Sequence, residues 1–228
     1  MATPGPTFRR SAIPKCDKNI KPIHLFELFF DNALIQKLVT VTNNYHSRRL
    51  QSSPIKYRMV WVDVTSNEIK VFIVICLAMG IIKLSCIHDY WRQKLWFFAI
   101  PSFSKIMFRD RFRQIHRYLH FCNETAAIPR GNEGYDKLFK VRMLLDDLCP
   151  NSRNLYKPKR DTCIDKSMIP FKGRISFRKF IPSKRTRFGI KAWVMAEPST
   201  GYISEFLIYT GKDIDGQKHH HLAGTIVC

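Results

Sequence analysis

Apolar residues recur along the chain with two different periods, and the change from one to the other falls near residue 155. Before it the period is helical. Asp31 is placed to cap a helix whose positions Leu34, Ile35, Leu38, Val39 and Thr42 share one face. Thr65 and Glu68 have the spacing of a capping box, in which each side chain satisfies the other's free backbone donor, and the run Ile69 to Ile82 behind them is apolar all round. That pattern predicts the central helix of a bundle. From Asp110 onward the segment is two-faced, with Phe112, Ile115 and Leu119 on one side and Arg109, Arg113, His116, Arg117 and His120 on the other. Asp136 can cap a further amphipathic helix carrying Leu138, Val141, Leu145 and Leu148, and Pro150 is expected to close it.

Past residue 155 the texture becomes that of strands. Thr162 to Phe171, Ile190 to Ala196 and Tyr202 to Tyr209 are short and rich in β-branched and aromatic residues, and Pro198-Ser199-Thr200-Gly201 reads as a turn between the last two. The expectation is one strand, a basic excursion and then a hairpin. The first 20 residues are Pro-rich, basic and weakly patterned, as in a flexible lead-in.

Composition adds a partner to this picture. With 45% apolar residues and 13% aromatic ones over 228 residues, the chain can fill a core. Its 38 Lys and Arg against 18 Asp and Glu leave a net charge of +20, far beyond what solubility needs, so a polyanion is the expected partner. The longest apolar run, Val71 to Ile82, falls short of the roughly 20 residues of a membrane span. Met1 to Lys15 has no apolar stretch of the kind a secretory signal needs. Seven widely spaced cysteines without a Cys-x-x-Cys pair signal neither a disulfide framework nor a zinc site. A reducing, nucleic-acid-containing compartment, the nucleus, is the expected location.

The charge is densest between Arg153 and Lys191, where 13 cations face only Asp161 and Asp165. Lys172, Arg174, Arg178, Lys179, Lys184, Arg185 and Arg187 crowd the excursion, with Phe171, Phe177, Phe180 and Phe188 between them to pack it or to stack on bases. The bland alternative is a solvated face whose long stems lie over apolar surface. Asp165 stands alone as an acid in a strand of apolar and basic residues, either as the partner of a nearby Arg or as a metal ligand. His116 and His120 share a helix face without a third ligand, and His219-His220-His221 has no apolar frame, so neither set signals a metal centre. Lys157-Pro158-Lys159-Arg160 has the look of a short nuclear-import signal, of phosphate contacts or of plain solvation.

The stretch IDKSMIPFKGRISFRKFIPSKRTRFGIKAWVMAEPSTGYISEFLIYTGK resembles the opening of the catalytic domain in piggyBac transposases and piggyBac transposable element-derived proteins. Upstream, FELFFDNALIQKLVTVTNNY, TSNEIKVFIVICLAMGI, HDYW, RDRFRQIHRYLHFCN and KVRMLLDDL resemble successive blocks of the same family's helical region, in order. The resemblance implies a ribonuclease-H-like fold in which clustered aspartates hold two Mg²⁺ ions for nicking and strand transfer of DNA. It matches Asp165 to the first of those aspartates and puts the others well downstream, beyond Cys228. Two positions depart from the family: Lys166 stands where an acidic residue is usual, and Glu197 where the second strand often ends in Asp. Asp213 and Asp215, in GKDIDG, read as turn residues and not as substitutes. The family's Cys-rich zinc-binding tail has no counterpart in the spacing of these cysteines.

Together these readings predict an α+β protein. Residues 1–20 are the lead-in, 21–155 a helical DNA-binding and dimerisation region, and 156–228 the first three strands of an incomplete ribonuclease-H-like sheet. The expected partner is double-stranded DNA, with a homodimer possible and neither a membrane nor a small-molecule substrate involved. Contacts come from Arg109, Arg113 and Arg117 on one helix and from the excursion cations. No cofactor is expected for this chain, and no cleavage, since the carboxylate cluster is incomplete. Two other readings stay open: a portion of an active cut-and-paste transposase, or a remnant without a role of its own.

Overall fold

A computed structural model describes residues 21–52, 60–92, 102–159, 161–182 and 186–211. Among the described residues the protein is mixed α+β, five helices, the first of them α1 (Pro22–Phe29), followed by a four-stranded antiparallel sheet. The lead-in lies outside the described residues. Two compact units divide the chain. One gathers residues 30–135 and 139–144, the other residues 21–29, 136–138 and 145–211. One division of this grouping falls between residues 144 and 145, within the last helix, while the change from helices to strands follows residue 155.

In the helical unit, α2 (Asn32–Ser52) starts where Asp31 Oδ1 accepts from the Leu34 amide at 2.7 Å, which satisfies one of the first-turn donors a helix leaves open. α3 (Ser66–Ile81) carries the full capping box between Thr65 and Glu68. α4 (Arg109–Tyr118) is the third wall. Leu34, Ile35 and Leu38 from α2, Ile69, Phe72 and Ile75 from α3, and Phe112, Ile115 and Tyr118 from α4 are buried. Phe72 and Phe112 stack with ring centroids 4.8 Å apart. Asn43 fastens the segment before α3 as a backbone would, donating to the Val64 carbonyl and accepting from the Val64 amide at 2.9 Å. The all-round apolarity of α3 does not produce all-round burial. Val74, Leu77 and Ile81 are exposed, because α2 and α4 cover only one side of the helix among the described residues. No helix among the described residues is long and apolar enough to cross a membrane.

In the other unit β3 (Phe188–Ala196) is the central strand. It pairs with β1 (Cys163–Pro170) along its length, Asp165 opposite Val194 and Lys166 opposite Trp193. It also pairs with β2 (Lys179–Phe180) at its start and with β4 (Ile203–Ile208) at its end. Three strands were expected and four are found among the described residues. β2 is two residues inside the excursion, too short for any period to announce. Gly189 allows β3 to run close to β1, since a Cβ there would lie 2.3 Å from the Ile169 carbonyl oxygen. The predicted turn at Pro198–Gly201 is present, with Gly201 at φ 70 and its amide bonded to the Glu197 carbonyl at 2.8 Å.

Pro150 does not close its helix. α5 (Phe139–Leu155) runs through it, although a proline in a helix interior removes one ladder bond and crowds the preceding turn. Tertiary bonds hold the last turn instead. Asn151 donates to the Phe29 carbonyl, Ser152 to the Ile203 carbonyl at 3.1 Å, and Arg153 pairs with Glu205. Leu155 and Tyr156 are buried behind them.

Candidate nucleic-acid interface

On α4 the spacing of four places Arg109, Arg113 and Arg117 along one edge of the helix, and all three are exposed, as is His116. Arg109 leans on Asp110 at 3.3 Å. Arg111, two residues on, does the opposite. Its guanidinium grips Glu68 with Nε to Oε1 at 2.6 Å and Nη2 to Oε2 at 2.9 Å, donates to the Val62 carbonyl, and covers the Trp61 ring at 5.2 Å. The Glu68 carboxyl is held below its ordinary range chiefly by that bidentate bond. His120, expected beside the arginines, is drawn inward past the end of the helix. Its ring stacks on Tyr45 at 3.4 Å and meets Glu124 at 3.3 Å.

Around the sheet, Lys172, Arg174 and Arg187 are exposed. Arg178 has structural work as well. It donates to the Lys172 and Gly173 carbonyls at 3.1 and 3.2 Å and lies over Phe188, so it ties the excursion into a loop. Lys184 and Arg185 lie outside the described residues.

Strand alternation divides the sheet's chemistry between its faces. Asp165 shares one face with Ser167, Ile169 and Val194, is exposed, and accepts the adjacent Lys166 amide at 2.6 Å. Lys166 points to the other face, its ammonium 5.0 Å from the Trp193 ring centre. Lys166 therefore adds no cation to the face that carries Asp165. Two-metal phosphoryl chemistry needs several converging carboxylates. Among the described residues no group of three His, Cys, Asp or Glu side chains is placed to hold a metal ion. Asp165 alone does not fit a two-ion site, and Asp213 and Asp215 lie outside the described residues.

Glu197, the other departure, is a buried anionic hub. Its carboxylate accepts from the Tyr156 hydroxyl, the Ser199 hydroxyl and the Lys159 amide, with the Lys159 ammonium 3.9 Å away. The Ser199 bond first, then that of Tyr156, holds it below the ordinary carboxylate range, and the same contact pushes the Tyr156 phenol up. Sequence reasoning marked Glu197 only as a departure. Its position between a strand end and a Pro-Ser-Thr-Gly turn was the available signal.

Residues 21–228 match the family model described as Transposase IS4. The human PiggyBac transposable element-derived protein 3 is 29% identical over 192 residues, covering 84% of this chain and 30% of that protein. The human PiggyBac transposable element-derived protein 5 is 23% identical over 215 residues, covering 90% of this chain and 38% of that one. The chain thus spans little more than a third of these relatives' length at most. Among solved structures, a piggyBac transposase in a synaptic complex with hairpin DNA is similar with a TM-score of 0.74 at 24% identity, over 98% of this chain and 45% of that one.

Proposed function

Because the chain belongs to the piggyBac family of IS4-type transposases, we propose that these residues bind double-stranded DNA through its phosphates and do not by themselves cut it. The observation that carries the binding is the exposed arginine edge of α4, turned away from the structural Arg111, which lies two residues and about 200° round the helix from Arg109 and Arg113. Lys172, Arg174, Lys179 and Arg187 add cations in the other unit, with Arg178 shaping the loop that presents them. Such contacts fix a duplex without reading its bases. A solved relative is a transposase on hairpin DNA, which supports the partner class. The proposal extends to a nuclear location and to pairing of two chains on DNA.

The absence of cutting rests on chemistry: Asp165 is one carboxylate on its face of the sheet, and Mg²⁺-dependent strand breakage asks for several. Binding to a labelled duplex across a salt series tests the first half. The logarithm of affinity should fall linearly with that of salt, by about 0.9 per phosphate neutralised, and Arg109→Gln with Arg113→Gln should flatten the slope by about 2. A salt-independent affinity refutes it. Nicking of supercoiled DNA in Mg²⁺ that disappears with Asp165→Ala refutes the second half.

A further inference from the structure

The face of the sheet opposite Asp165 holds five side chains in a row that alternates cation and ring. Lys166 lies over Trp193 at 5.0 Å. Lys191 lies between Trp193 and Tyr209, 4.9 and 4.8 Å from their ring centres. Lys179 closes the row over Tyr209 at 5.3 Å. The row crosses three strands, since Lys166 sits opposite Trp193 and Lys179 opposite Gly189, and Tyr209 follows β4 with its amide on the Lys191 carbonyl at 2.8 Å. None of these lysines forms an ion pair among the described residues. The carboxylate on this face, Glu205, is already taken by Arg153. Three like charges gathered without a counter-ion cost free energy. The strain is visible at Lys191, whose pKa is lowered first by burial and then by Lys166 and Lys179.

We propose that this row is a binding track for single-stranded nucleic acid, with phosphates taken by Lys166, Lys191 and Lys179 and unpaired bases stacked on Trp193 and Tyr209. The inference rests on the DNA-binding reading and sharpens it to a strand form. A duplex could use only the cations, because its bases are already stacked on one another, whereas a single strand uses the rings as well. Lys166 is exposed and the other four side chains are half-buried, so each cation–π contact is weaker than a charge-assisted bond to a phosphate, and the lysine tips can leave the rings when phosphates arrive.

The test uses the full chain and two fluorescent probes, an oligothymidylate and a duplex of mixed sequence, each across a salt series. Lys166→Gln with Lys191→Gln should weaken oligothymidylate binding about tenfold at low salt and lower its salt slope by about 1.4, two phosphates at about 0.7 each. Trp193→Leu should cost the oligothymidylate about fivefold or more and leave the duplex unchanged within about twofold. Wild-type indole fluorescence should be quenched by oligothymidylate, and Trp193→Phe should remove that quenching, a reading that keeps a ring in place should the leucine variant unfold. Oligothymidylate affinity and quenching that survive these changes, or equal losses on both probes from Trp193→Leu, overturn the track while wild-type duplex binding leaves the broader reading standing. Salt-independent or absent binding of both probes by the wild-type chain removes both.

Discussion

Arg111 and Arg113 are the same residue type two positions apart on one helix, and the structure gives them opposite surroundings. Replacing Arg111 with alanine removes two hydrogen bonds to the Glu68 carboxylate, at 2.6 and 2.9 Å, a third to the Val62 carbonyl at 2.9 Å, and the cover over Trp61. A hydrogen bond to a charged group is worth about 1.5–3 kcal/mol when shielded, and an exposed ion pair about 0.2–1 kcal/mol. These side chains are 16% and 31% exposed, so the pair falls between those limits. The bidentate geometry and the added carbonyl bond bring the expected loss to about 2–3 kcal/mol. That is a large fraction of a typical total of about 5–15 kcal/mol and should lower the melting temperature by roughly 5–10 °C. Arg113→Ala, on the exposed edge, should change stability by less than about 0.5 kcal/mol.

Urea unfolding followed by far-ultraviolet circular dichroism measures both variants. The pH dependence supplies an independent check. The folded-state pKa of Glu68 lies below its ordinary value of 4.5, so the unfolded chain binds its proton more readily. The stabilisation is therefore complete above about 4.5 and is lost as pH falls through the lowered folded value. Arg111→Ala should remove most of that acid-side dependence and leave the share due to the Thr65 bonds, and Arg111→Lys should restore only part of the stability, because an ammonium cannot hold both oxygens in a fork. Equal stability losses from Arg111→Ala and Arg113→Ala would refute the division of labour on α4.

Other expectations follow from packing and from the buried hub. Phe112, 1% exposed and within 5 Å of both the Phe72 and Trp91 ring centres, should cost about 3–5 kcal/mol on truncation to alanine, read by the same urea melts. Gly189→Ala would press a methyl group against the Ile169 carbonyl and should destabilise the sheet by about 2 kcal/mol or more, whereas Gly80→Ala, with nothing within 4 Å, should stabilise α3 by about 0.5–1 kcal/mol. Glu197→Gln weakens the hydrogen bond to the carboxylate that, ahead of burial, raises the Tyr156 phenol, so its ionisation, followed by ultraviolet absorbance, should move down toward the ordinary 10.0; an unchanged titration would remove Glu197 as the cause.

What was legible in the sequence is what short-range chemistry decides. Asp31 and the Thr65–Glu68 pair announce helix starts because a cap needs only residues three positions apart. The three longer strands and their turn are visible for the same reason. Pro150 misleads because its helix is continued by bonds to Phe29, Ile203 and Glu205, all distant in sequence. β2 exists only because β3 extends beside it. Glu197 looks like any acid at a strand end, and its burial depends on Tyr156, 41 residues earlier. Arg111 was readable in part: it lies four residues before Ile115 and seven before Tyr118, which sets it on the flank of the buried stripe. Its partner Glu68, 43 residues away, was not.

The neighbouring pair Asp165 and Lys166 shows why position along a strand outweighs distance along the chain. Read as letters, a lysine beside a would-be metal ligand suggests a poisoned site that an acid in its place would improve. In the sheet the two side chains leave opposite faces, Asp165 opposite Val194 and Lys166 opposite Trp193. A carboxylate placed at 166 would enter the cation-and-ring row and could not reach an ion held by Asp165, since consecutive strand residues point apart. Lys166→Glu should therefore leave Mn²⁺ affinity, measured by calorimetry, unchanged within about twofold, because a divalent ion needs ligands on one side. The same change should weaken oligothymidylate binding more than Lys166→Gln does, by placing a negative charge among the phosphates. A new Mn²⁺ site in Lys166→Glu that vanishes with Asp165→Ala would mean that both side chains reach one face, and the strand register described above would have to be wrong.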